Sequence, residues 1–297
     1  MTKLTVHDRG AAQHDDPIGS IRPVGHNMRM RKVLVGLTAT AIVLGIVILG
    51  AVGIDFGASI YAEYRLSTSV RKAAHLGSDP FVAILGFPFI PQAMRHRYFE
   101  LEIKAIAVEH AVVGVATLEA TMHSIDLSQA SWLIEPNSRM TVHKLESRII
   151  IDSMHLGRHL RISDLMVQAP PQESNDAAGG TTESGISDGH GLVLSGTPTS
   201  ADFDQRVSVS VDVSIAPEDQ STLVITPTRV VTGPDTADQT VPDDKLGAVL
   251  RAFSSRLPNQ KLPFAVAPNT VGARGSDIII EGITNDVTIS LEGFKQS

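Results

Sequence analysis

The sequence predicts an α+β protein rich in strands: a curved antiparallel sheet or half-barrel packed on two helices and preceded by one N-terminal transmembrane helix. Three observations carry this reading: an uncharged apolar run near the N-terminus, long stretches of alternating apolar and polar residues, and an isolated amphipathic helix near the C-terminal end.

The apolar run is Val33 to Ile54, 22 residues in which two threonines are the most polar groups. As a helix rising about 1.5 Å per residue it is about 33 Å long, enough for a hydrocarbon layer about 30 Å thick. A buried core helix would keep a polar stripe, and none is present. Arg22, Arg29, Arg31 and Lys32 precede the run, whereas Asp55, Glu63, Arg65 and Arg71 follow it in near balance. The positive-inside bias therefore keeps the N-terminus in the cytoplasm and exports the chain from Asp55 onward. The run exceeds the apolar core of about 7–15 residues in a cleaved signal, which favours a retained anchor. Under the alternative, Ala51-Val52-Gly53 is a small-residue cleavage site and the domain is exported free. The expected organisation is a disordered cytoplasmic tail (1–32), an anchor (33–54) and an extracytoplasmic domain (55–297).

The chain carries 25 Lys+Arg against 32 Asp+Glu, a net charge of −7. Its first 32 residues are basic on balance, so the exported part is more acidic still, about −10. Such a field repels nucleic acid, and no nucleic-acid role is expected. The absence of cysteine excludes a disulfide framework and thiol chemistry.

After the run, Ser59 to Leu76 places Ile60, Tyr64, Val70 and Ala74 at near-helical intervals before Gly77, so a helix is expected, either leaving the membrane or packing on the first sheet. Pro88 keeps Phe87 out of the helical region, making Gly86-Phe87-Pro88-Phe89 a tight turn. Phe99, Leu101, Ile103 and Ala105 then alternate with Glu100, Glu102 and Lys104, a strand with one wet face. Strands are expected over 112–122, 142–152 and 162–167, with a turn over 125–132. Residues 169–191, polar and rich in glycine and serine, read as a flexible loop. Arg206 to Ile215 is the cleanest alternation, with Val207, Val209, Val211, Val213 and Ile215 on one side and Ser208, Ser210, Asp212 and Ser214 on the other. Leu223–Val231 is its expected partner. Pro242 to Leu257 carries Leu246, Val249, Leu250, Phe253 and Leu257 on one helical face, with Asp243 a capping candidate. Strands near 262–266, 277–281 and 287–291 finish the chain. The order suggests two similar halves, each a curved sheet against one helix.

The run LGFPF, a short basic turn, and the strand Tyr98-Phe99-Glu100-Leu101-Glu102-Ile103 together resemble the start of the LmeA-like family of actinobacterial exported lipid-binding proteins. LPFAV (262–266) and Gly282 followed by NDVTISL resemble that family's closing pattern. The resemblance implies an elongated β-rich body, similar to the tubular lipid-binding superfamily, with an apolar groove for acyl chains. It also implies phospholipid binding in support of lipomannan-type envelope glycolipid assembly.

The chain has no His-Glu-x-x-His motif and no phosphate-binding loop. No catalytic residue, metal ligand or cofactor is expected. His155 and His159 have the spacing of helical metal ligands, but Gly157 and the flanking strands make them solvated loop histidines. The Asp243-Asp244 pair is explained by a helix N-terminus.

Two constellations remain as binding features. Arg95 and Arg97 stand beside Phe87 and Phe89. As an ordinary solvated turn they need no ligand, but arginine's planar fork suits the phosphate of an anionic phospholipid, the expected ligand. Arg148, Arg158 and Arg161 with His155 and His159 form a second basic cluster. The apolar faces of the strands and helix, with Phe99, Leu101, Ile103, Val207, Val209, Val211, Phe253 and Phe264, either fill a core or line a lipid cavity. The expected non-catalytic roles are phospholipid binding at the membrane and, alternatively, docking of an envelope glycosyltransferase without a lipid cavity.

Overall fold

The computed structural model describes residues 26–127, 131–169, 186–187 and 189–295, with side chains from Arg31 onward. Two units divide the chain, Met1–Ala51 and Val52–Ser297. The expected tail up to residue 25, and most of the loop expected over 169–191, lie outside the described residues.

The first element is a single helix, α1 (His26–Ala73), which takes in both the apolar run and most of the Ser59–Leu76 segment. Its later part packs into the body through Ala62, Leu66, Val70 and Ala73, spaced by three and four residues as an amphipathic stripe requires. That stripe differs from the expected one, because Ile60 and Tyr64 face outward. Polar contacts lock the helix to the first strand, β1 (Phe81–Leu85): the Ile84 N–H donates to Glu63 (2.9 Å) and the Ser67 hydroxyl to the Pro80 carbonyl (2.6 Å).

A short helix α2 (Phe89–Arg95) leads into β2 (Arg97–His110), β3 (Gly114–Leu127) and β4 (Arg139–Asp152). Then come α3 (Ser153–Leu160), β5 (Met166–Gln168), β6 (Leu192–Gly196), β7 (Val207–Ile215), β8 (Leu223–Val231), α4 (Asp243–Ala252), β9 (Ser255–Leu257), β10 (Thr270–Arg274) and β11 (Asp277–Ser290). All described pairings are antiparallel. One sheet has the order β1-β2-β3-β4-β11-β10 and the other β5-β6-β7-β8-β9. The sheets curl as a half-barrel, so the expected fold class is the observed one. The halves do not follow chain order, however: the last two strands return to the first sheet, where β11 pairs along the whole of β4.

Several local expectations change. Residues 277–281 and 287–291 belong to one strand of 14 residues. Residues 125–127 of the turn expected over 125–132 are the end of β3, and Pro263–Ala265 is a one-turn 3-10 helix instead of a strand. Gly282 explains that crossing: a Cβ there would stand 2.4 Å from the Ala267 carbonyl and 2.7 Å from Leu262, so only glycine lets the Leu262–Ala267 segment cross β11 this closely. The Val face of β7 is dry as expected, but Ser208 and Ser210 are buried too. The chain after β8 folds back over Ser208, the Ala237 N–H donating to its Oγ at 2.8 Å, and Ser208 meets Ser195 at 2.6 Å. In α4, Asp243 is the first helical residue and makes no side-chain cap; Pro242 precedes it.

Candidate functional site

The residues after the apolar run build the site. Gly86 has φ +105°, and a Cβ there would lie 2.7 Å from the Phe99 ring, so the chain turns at a position that excludes other residues. The Phe87–Pro88 peptide is cis. Gln92, buried, fastens the turn: its amide donates to the Gly86 carbonyl (2.8 Å) and its carbonyl accepts the Phe99 N–H (3.0 Å). The first amides of α2 have no local cap. Asp55 supplies one from α1, accepting the N–H groups of Phe89 (2.8 Å) and Ile90 (2.7 Å).

This clamp sends neighbouring aromatics in opposite directions. Phe89 is buried, edge-on to Trp132 (6.4 Å) and near Tyr98 (6.1 Å). Tyr98 donates its hydroxyl to the Trp132 carbonyl, and burial pushes the phenol up to about 12. Phe87 is exposed and stacks on Phe56 at 5.9 Å. Phe99, expected on the dry face of β2, is 62% exposed, whereas Tyr98 takes the inward place. The β2–β3 register passes from Tyr98–Ile125 to Glu100–His123 without pairing Phe99 and Ser124; Ser124 has φ +52°, and the alternation of both strands switches there.

Beside α2 lies a cleft of about 300 Å³, lined by Ala58, Phe89, Ile90, Ala93, Met94, His96 and Trp132. Its wall is apolar apart from His96, which takes a left-handed conformation (φ +55°) to end α2. Arg95 is exposed and lies in sequence between Met94 and His96, both of which line the cleft. A second cleft, about 340 Å³, is lined by Arg97, Tyr98, Phe99, Ser124, Ile125, Asp126 and His143. There Arg97 is held by Asp126 (2.6 Å).

Of the residues singled out from sequence, the structure thus gathers Phe87, Phe89, Arg95, Arg97 and Phe99 around the α2 turn. Leu101, Ile103, Val207, Val209, Val211, Phe253 and Phe264 lie in the continuous core between the sheets, away from these clefts. Phe264 packs edge-on against Phe294 at 5.8 Å. The second basic cluster does not assemble as expected. Arg148 is buried in ion pairs with Glu281 (2.5 Å) and Glu146, while Arg158 and Arg161 are exposed around α3. His155 and His159 sit on that helix, not in a loop. His155 bonds to Asp152, the N-cap, and His159 to Ser255 (3.0 Å). Among the described residues no three His, Asp or Glu side chains gather as a metal site. Asp55, Gln92 and Trp132 escaped the sequence reading, because a lone carboxylate, amide or indole has no periodicity to betray a distant partner.

A curled antiparallel half-barrel carrying an apolar cleft, with exposed Arg95 following the cleft-lining Met94 in sequence, defines a class of proteins suited to an amphiphilic ligand. A family model described as LmeA-like phospholipid-binding matches residues 53–283, and the chain belongs to that family. No curated protein and no solved structure matches it.

Proposed function

We propose that this protein holds an anionic phospholipid at the outer surface of the cell membrane and supports assembly of a lipomannan-type envelope glycolipid without performing chemistry. Residues 33–54 anchor it with the N-terminus inside, and the body from Asp55 works outside. Acyl chain enters the cleft of Phe89, Met94 and Trp132, where each CH₂ withdrawn from water contributes about 0.8 kcal/mol. The phosphate meets Arg95, with Arg97 of the neighbouring cleft as a second donor. The observation that carries this reading is the apolar cleft whose lining residues Met94 and His96 flank the exposed Arg95 in sequence. Family membership supports the ligand class.

Native mass spectrometry and organic extraction of the full chain, purified from its own membranes, test it. A co-purifying phospholipid is expected, and anionic phospholipid should bind in preference to zwitterionic. Absence of both would end the proposal.

The dense burial of Val207, Val209, Val211 and Phe253 favours a second reading, in which the body docks a membrane glycosyltransferase and encloses no lipid. Charge reversal at Arg95 and Arg97 separates the two: a head-group role predicts weaker lipid binding, a docking role unchanged lipid binding and loss of the co-precipitated partner.

A further inference from the structure

Three exposed aromatic residues near α2 do not line the Phe89–Trp132 cleft, and Phe99 alone among them lines the second cleft. Phe56, Phe87 and Phe99 are 57%, 58% and 62% exposed, and Met94 on α2 is 76% exposed. They are contiguous: Phe87 stacks on Phe56, and Phe99 lies against Gly86, the residue before Phe87. The stack is held rigidly, because Asp55 caps α2 and Gln92 ties the turn to β2. Water is a poor environment for a rigid aromatic patch, and such patches mark interaction surfaces.

We infer that Phe56, Phe87 and Phe99 form a foot that rests in the lipid interface, the head-group zone of the membrane, so that the adjoining cleft opens onto lipid and not onto bulk water. The partner is set by position. Phe56 follows Ile54, the last residue of the apolar run, by two positions, about 3 Å along a helix. The interfacial zone adds about 5–8 Å on each side of the hydrocarbon, so the Phe56–Phe87 stack falls within it. Aromatic rings collect at that depth. Arg95, exposed on the same turn, adds the charge that anionic head groups attract. This foot rests on reading residues 33–54 as a membrane span, and it is separate from whether the cleft carries a lipid.

The cysteine-free chain makes the test direct. The full chain is reconstituted into phosphatidylcholine–phosphatidylglycerol vesicles as the single variants Phe87→Cys, Phe99→Cys and Met154→Cys, each spin-labelled. Met154 is an exposed position on α3 and serves as the water reference. Labels at 87 and 99 should be relaxed more by oxygen than by a water-soluble nickel chelate, with the opposite order at 154. If both match 154 in chain that resists carbonate extraction, the foot is overturned while the anchor stands. If carbonate strips the chain, the anchor reading fails. The foot then survives only where peripherally bound chain still shows the oxygen-favoured pattern at 87 and 99; chain that leaves the vesicles altogether overturns it.

Discussion

Asp55 accepts the Phe89 N–H at 2.8 Å across 34 positions of sequence, and its other carboxylate oxygen takes the Ile90 N–H at 2.7 Å. One carboxylate, only 6% exposed, thereby joins the helix leaving the apolar run to the start of α2 and fixes which side of the turn Phe89 and Phe87 occupy.

Replacing Asp55 by alanine leaves two amide donors without their partner, at a cost of about 1–3 kcal/mol for each buried donor. Asp55→Ala should lower the melting temperature and speed hydrogen exchange at Phe89 and Ile90, with Asp55→Asn intermediate. Unchanged exchange at those two amides would show that the cap contributes nothing.

Trp132 is the only tryptophan in the chain and lines the apolar cleft. Titrating anionic phospholipid into the full chain should shift its emission to the blue, and Ala93→Phe, which fills the cleft, should abolish the shift. A shift of the same size in the filled variant places the lipid elsewhere.

Arg97 is paired with Asp126 at 2.6 Å across two largely exposed side chains, and such surface pairs contribute about 0–1 kcal/mol. Arg97→Glu should therefore leave thermal stability nearly unchanged. Arg95→Glu should weaken binding to anionic vesicles more than Arg97→Glu does, a difference read by co-sedimentation at low and high salt.

Asp277 faces Asp152 in register between β11 and β4, and burial followed by that neighbouring charge raises its carboxyl above the ordinary carboxylate value. A raised acid binds its proton more tightly in the folded state. Its contribution is thus most favourable below about pH 4 and is lost as pH rises through the elevated value. Asp277→Asn should melt higher than the parent at neutral pH, with the gap closing in acid.

Asp164 shows the opposite sign. Burial pulls its carboxyl upward, but hydrogen bonds from the Thr197 N–H (2.8 Å) and hydroxyl (2.9 Å) and the charge of Arg206 (2.8 Å) outweigh it, and the net direction is down. Its stabilisation is present above about pH 4 and is lost as pH falls through the depressed folded value. Asp164→Asn should melt lower at neutral pH and decline less steeply on acidification.

Much of the architecture was legible because it rests on local regularities. The charge-free run declared a helix long enough to span a membrane, and the alternation in β2 and β7 declared their core-facing sides, since strand side chains repeat every two residues. Motif residues were found where backbone conformation restricts the choice, as at Gly86 and Pro88. Phe264 was found as part of a motif whose Leu262 and Val266 approach Gly282, on another element, too closely for any larger residue there.

What failed was whatever depends on the far side of a contact. Phe99 reads as part of the Leu101–Ile103–Ala105 alternation, yet it faces outward, because the alternation of β2 switches between Tyr98 and Leu101. Arg148 looked like a free cation until β11 placed Glu281 against it. Ser208 read as part of a wet face until the chain after β8 met it through Ala237. The sequence by itself determined the apolar span, the strand-rich class and the residue types around the α2 turn, because these follow from composition and period. Only the tertiary structure decided which aromatics face the cleft and which face outward, because that depends on Asp55 and Gln92 meeting backbone groups that local pattern cannot foresee.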